Sequence, residues 1–83
     1  MRVSVISPDA AVFNGEADAV TAPAWDGQVG ILPRHAPMMT LLGRGTLIVR
    51  QGDVSRRFIV EGGFLQVVDD VVRVVAERIQ GEK

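Results

Sequence analysis

Short apolar runs, each cut off by glycine, proline, asparagine or aspartate before it reaches helical length, recur throughout this chain. Fourteen of the 83 residues are valine, which is stiff at χ1 and packs well on a pleated, half-buried surface. No stretch sustains a 3.6-residue apolar period, so the chain is expected to be all-β. Strands at this spacing predict an antiparallel β-sandwich or barrel, with about ten short strands. At 83 residues one small core is the limit, and with 5% aromatic residues that core must be aliphatic.

Residues 2–7 read as a first strand, ended by Pro8-Asp9. Asn14-Gly15, flanked by Val12-Phe13 and Glu16-Ala17, is the strongest hairpin signal in the chain. Residues 17–22 form a modest strand that Pro23 should close, and 38–42 form another before a turn at Gly43-Arg44-Gly45. Residues 46–51 and 54–61 make a hairpin, and Gly52-Asp53 as its turn suits type II′. That register sets Leu47 opposite Phe58, with Val49 and Val60 on the same face. Gly62-Gly63 should break the run, leaving 63–68 to pair with 71–77 across Asp69-Asp70.

This last hairpin is apolar on both faces. Leu65, Val67, Val72 and Val74 share one face, and Phe64, Val68, Val71 and Val75 share the other, around Gln66 and Arg73. A sheet with one solvated face should alternate more cleanly. Either both faces are covered within the domain or edge valines are simply tolerated there, or the second face is an exposed patch for a partner.

Catalytic chemistry lacks its residues. The single histidine has no serine elbow or third group to complete a triad, and with no cysteine it cannot build a zinc site. The pattern of a phosphate-binding loop is missing, and Asp69-Asp70 reads as a solvated hairpin tip. Arg56 and Arg57 point to opposite faces of one strand. A net charge of −1 offers no electrostatic case for nucleic acid or anionic lipid. A lipoyl or biotin carrier would need a lysine on a hairpin tip, and the only lysine is Lys83. No run reaches the ~20 apolar residues of a membrane helix and no signal-peptide pattern opens the chain, so it is expected to stay where it is made. The expectation is no catalysis, no cofactor and no metal.

One stretch concentrates the unusual residues. Asp26-Gly27 is turn chemistry, Val29 to Leu32 is a brief strand, and Pro33 and Pro37 stiffen a loop that carries His35. The run Gly30-Ile31-Leu32-Pro33-Arg34-His35-Ala36-Pro37 resembles the G-I-L-P-G-H-A-P signature of the epsilon subunit of F-type ATP synthases. Glu61-Gly62-Gly63-Phe64-Leu65-Gln66-Val67 resembles that family's S-G-G-F-L-E-V, and Val71-Val72-Arg73-Val74-Val75-Ala76-Glu77 its closing strand. Val5-Ile6-Ser7-Pro8 and Val12-Phe13-Asn14-Gly15-Glu16 also fit in order and spacing.

The resemblance implies a ten-stranded sandwich over residues 1–77, a tail over 78–83, and no C-terminal helical hairpin. It implies a non-catalytic subunit of the central stalk, the rotor that couples proton translocation to ATP synthesis. The alternative is a free-standing β-sandwich module that binds a protein or ligand. In the family reading, Phe64, Val68, Val71 and Val75 contact the gamma subunit, and Asp26, Gln28, Arg34 and His35 contact the ring of c subunits. His35 has a second reading, as a loop histidine bonded to nearby backbone. Gln28 stands where the family has a carboxylate, and Arg34 replaces a glycine, which argues against a positive-φ turn there. Trp25 reads as a lid over the end of the core or as an interface anchor. The resemblance implies a peripheral location on the cytoplasmic face of the bacterial inner membrane or its equivalent, without membrane insertion or ATP binding.

Overall fold

The computed structural model describes residues 1–81. Eight strands follow in order: β1 (Arg2–Ile6), β2 (Ala11–Glu16), β3 (Ala19–Ala24), β4 (Gly27–Ile31), β5 (Met38–Leu41), β6 (Arg44–Gln51), β7 (Val54–Val68) and β8 (Val71–Gly81). The described residues contain no helix.

The long strands β7 and β8 each serve two layers. Before Gly62, β7 pairs with β6 and with the end of β8. After it, β7 pairs with β5 and with the start of β8, which in turn carries β1 and β2. One layer is therefore β2-β1-β8-β7-β5 and the other β8-β7-β6-β3-β4, which makes ten strand segments from eight strands. Gly62-Gly63 does not end the strand as expected. The pair bends it, with φ of 72° and 99°, and the ladder skips only Gly62 and Glu77.

Sixteen apolar residues fill the space between the layers, and among the described residues no polar side chain is buried with them. Strict alternation puts them there: Val3 and Val5, Leu47 and Val49, Phe58 and Val60, Leu65 and Val67, then Val72, Val74 and Ala76. The β6–β7 register matches expectation, with Leu47 opposite Phe58 and a two-residue turn at Gly52-Asp53. Gly52 has a φ of 59°, and Asp53 does not share the positive sign, in keeping with type II′.

Four local expectations give way to tertiary pairing. Asn14-Gly15 lies inside β2, opposite Ser4 and Val3, because the chain reverses earlier, where Ser7 and Ala10 bond each other. Pro23 sits within β3 opposite Gln28, beyond the reach of the β3–β6 ladder, which stops at Thr21, so its missing N–H costs that ladder nothing. The Gly43-Arg44-Gly45 turn shrinks to Gly43, since β6 already begins at Arg44. The end of β8 pairs residues 78–81 with Phe58 to Glu61, so most of the expected tail is strand, while Glu82 and Lys83 lie outside the described residues. One ladder is also parallel rather than antiparallel, β1 beside β8, which puts Val3 next to Val72 and Val5 next to Val74.

Candidate functional site

The outward side of the β5-β7-β8-β1 layer carries the first candidate surface. Phe64 stands opposite Val75, Gln66 opposite Arg73, and Val68 opposite Val71, all on the side away from Leu65 and Val74. Val68 and Val71 are exposed and Phe64 and Val75 half-buried, and no described strand lies over them, so this face is not covered within the described residues. The ladders extend the row on both sides. Leu41 pairs with Phe64, and Ile6 pairs with Val75, so Leu41, Phe64, Val75 and Ile6 cross four strands in one apolar line. Met39 stands beside Gln66, and Met39 and Leu41 are 62% and 63% exposed.

Leu41, Met39 and Ile6 were not among the expected contact residues. Their strands were visible as apolar runs, but which neighbour β5 joins is a long-range choice that alternation within it does not reveal. The signal was the run Met38-Met39-Thr40-Leu41-Leu42, which carries more apolar residues than one buried face requires.

The second candidate surface divides in two. Trp25 and Asp26 form the two-residue tip between β3 and β4, since Ala24 pairs with Gly27. Gln28 lies next to that tip on β4, opposite Pro23, and is exposed. Arg34 and His35 lie in the 32–37 loop beyond the other end of β4, so a strand rise of about 13 Å separates them from the tip. The four expected ring-contact residues thus fall into two pairs, at opposite ends of one strand.

Trp25 is not a lid over the core. It is 69% exposed, and its backbone N–H donates to the Leu41 carbonyl at 3.0 Å, which places the tip beside the end of β5. The cover at one end of the core is Phe13, whose ring lies 6.3 Å from Phe58 at a tilt of 59°, with the Arg56 guanidinium 5.6 Å over its face.

Arg34 keeps a positive φ, 66°, against the expectation drawn from its side chain. Its backbone N–H donates to Asp70 Oδ1 at 2.7 Å. That contact also corrects the reading of Asp69-Asp70 as a merely solvated tip. Both aspartates have positive φ, 50° and 63°, as the two central residues of a type I′ turn require. Asp70 Oδ2 lies 3.6 Å from the N-terminal ammonium, and the Asp70 carbonyl accepts from the Arg2 N–H at 3.0 Å. The hydrogen bond from the Arg34 backbone holds the exposed Asp70 carboxyl below its ordinary value; desolvation pushes back less strongly, and the nearby ammonium adds a further downward pull. His35 donates its backbone N–H to the Leu32 carbonyl at 3.2 Å, and its Nδ1 lies 2.7 Å from the Ala36 carbonyl, so Nδ1 carries the proton and Nε2 is left for another partner. The backbone-bonded reading of His35 therefore describes one nitrogen only.

Over the second layer, Arg44, Glu61 and Arg78 line up across β6, β7 and β8 at a shallow cleft with Ile59 and Gln80. Among the described residues, no group of His, Cys, Asp and Glu gathers to hold a metal ion.

The family model described as "ATP synthase, Delta/Epsilon chain, beta-sandwich domain" matches residues 1–82. The chain is 42% identical over 77 residues to the ATP synthase epsilon chain of Leptospira borgpetersenii, covering 93% of this chain and 61% of that protein. It is 43% identical over 76 residues to the ATP synthase epsilon chain of Desulforamulus reducens, covering 92% and 58%. It spans about three-fifths of the length of these curated relatives. Its backbone superposes with a TM-score of 0.87 on a chain in the Euglena gracilis mitochondrial ATP synthase structure of OSCP, F1 and c-ring, at 24% identity, covering 95% of this chain and 51% of that one. A chain of the Tetrahymena thermophila mitochondrial ATP synthase central stalk and c-ring gives 0.83 at 20% identity, covering 98% and 66%. At those identities the likeness is one of fold.

Proposed function

Because the chain belongs to the β-sandwich family of ATP synthase delta and epsilon chains, we propose that it serves as a non-catalytic central-stalk subunit of an ion-translocating ATP synthase. In this reading the apolar face of Phe64, Val68, Val71 and Val75, widened by Ile6, Met39 and Leu41, seats the gamma subunit. The tip with Asp26 and Gln28 and the loop with Arg34 and His35 meet the c-subunit ring. The subunit turns with both and transmits rotation to the catalytic subunits, from a peripheral position on the cytoplasmic face of the bacterial inner membrane or its equivalent. It takes no part in bond making and binds no nucleotide through the sandwich.

The apolar row from Leu41 to Ile6 carries this reading. Four strands present apolar side chains at one level on the outward side of a sheet whose inward side is already filled. Such a face is what a large protein partner covers. One solved structure of like fold is a chain of a central stalk and c-ring, which favours a stalk partner.

The test is a pull-down with the gamma subunit. Val75→Asp buries an unpaired carboxylate in that interface, at a cost of several kcal/mol in desolvation. Capture should fail while circular dichroism still reports the sandwich, because Val75 points away from the core. Gln28→Ala with His35→Ala should leave capture intact and loosen coupling between ion flow and synthesis. If Val75→Asp binds gamma normally and the loop changes abolish binding, the two surfaces are assigned the wrong way round.

A further inference from the structure

Two features of the chain meet at one carboxylate. The turn joining β7 to β8 lies directly after Val68 and directly before Val71, at the edge of the apolar face. The 32–37 loop hangs from the end of β4 in the other layer. The side-chain contact from that turn to the loop is Arg34 N–H to Asp70 Oδ1. Arg34 is in the left-handed region, where a residue with a Cβ rests only if something else holds it.

We propose that Asp70 is the positioning residue for the Arg34 and His35 loop: its carboxylate holds the loop in one conformation and ties it to the apolar face. The holding is a property of this chain; that it prepares a ring contact rests on the rotor reading given above. The turn alone does not call for aspartate here. Glycine takes a φ of 63° without steric cost, and Asn-Gly or Asp-Gly is the usual choice for such a turn. Aspartate at the second central position gives up that ease and supplies an acceptor that glycine lacks. Two cations near the carboxylate suit an anion: the N-terminal ammonium, 3.6 Å from Oδ2, and the Arg34 side chain on the loop itself, although Glu16 Oε1, 3.3 Å from the same ammonium, shares the first of them. Oδ1 and Oδ2 thus have separate tasks, one toward the loop and one toward the start of β1.

Asp70→Gly separates the clamp from the turn, since it eases the turn while deleting the acceptor. Amide exchange of the intact chain should then speed up at Arg34 and His35 by about fivefold or more, while amides of the β6–β7 ladder keep their rates. Asp70→Asn retains an oxygen acceptor and should restore most of the protection at Arg34. Unchanged exchange at Arg34 in Asp70→Gly, or equal acceleration across the whole sheet, would overturn the proposal. The ring contact is read separately, by crosslinking His35→Cys to the c-subunit ring in the assembled complex. If Asp70→Gly frees the loop but leaves the crosslink yield unaltered, the clamp stands and its part in preparing the ring contact falls; no crosslink even with Asp70 in place would sink the ring-facing reading of this loop.

Discussion

Leu41 on β5 stands directly opposite Phe64 on β7, and both side chains turn away from the core. The pairing joins the short strand after the His35 loop to the long bent strand at the centre of the fold. It also extends the apolar row beyond the β7–β8 hairpin. Leu41→Asp should therefore weaken gamma binding by about tenfold or more, as loss of an anchor in a desolvated interface does. Stability of the free chain should change by no more than about 0.5 kcal/mol, because Leu41 is exposed there. Gamma binding that survives Leu41→Asp would confine the interface to the hairpin.

Among the glycines, Gly63 has the least room for a side chain. A Cβ there would collide with the Val75 carbonyl oxygen and come within 2.9 Å of Ala76 Cα, at a φ of +99°. Both obstacles are backbone of the paired strand, so neither can rotate aside. Gly63→Ala should cost more than about 3 kcal/mol, from strain and the broken ladder together. Gly52→Ala has open space around its Cβ and a φ of +59°, so only backbone strain of about 1–2 kcal/mol applies, with no clash added. Urea unfolding of the two variants side by side checks the ranking, and equal midpoints would refute it.

Trp25 at the β3–β4 tip makes no contribution to the core, so Trp25→Ala should shift stability by less than about 0.5 kcal/mol. As the only tryptophan it is also a reporter. Its emission in the free chain should be that of a water-exposed indole. A blue shift on adding the c-subunit ring, with no shift on adding gamma, would place the tip at the ring.

The alternation along single strands was legible in the sequence because it is local. The facing of Leu47 and Phe58, and the inward set Leu65, Val67, Val72 and Val74, follow from a two-residue period and a two-residue turn. The choice of partners was not legible. Asn14-Gly15 has every local mark of a turn, yet it lies in a strand, since β1 and β2 gain more by pairing along their length. The apolar face was therefore seen as a hairpin when it is a row across four strands. Asp70 was misread for the same reason: its partner, Arg34, lies 36 positions away, and adjacent aspartates look alike until the fold gives one of them a donor.

The Asp70 contact carries a definite pH dependence. Its folded pKa lies below the ordinary 3.8, first because of the Arg34 hydrogen bond and then because of the N-terminal ammonium. A depressed carboxylate pKa adds stability that is fully present above the unfolded value and is lost as pH falls through the folded one. The loop should therefore stay fully held throughout the neutral range and be held less tightly in acid, below 3.8, where the Arg34 N–H keeps only a neutral acceptor. Carbon-detected titration of the Asp70 carboxyl should give a midpoint under that value, and the Arg34 amide shift should follow the same midpoint. In Asp70→Asn the acid transition at the Arg34 amide should vanish, while the amide keeps most of its protection at neutral pH. An Arg34 amide that instead moves with a midpoint near neutrality would mean that some other group governs the loop, and that the carboxylate is only a neighbour.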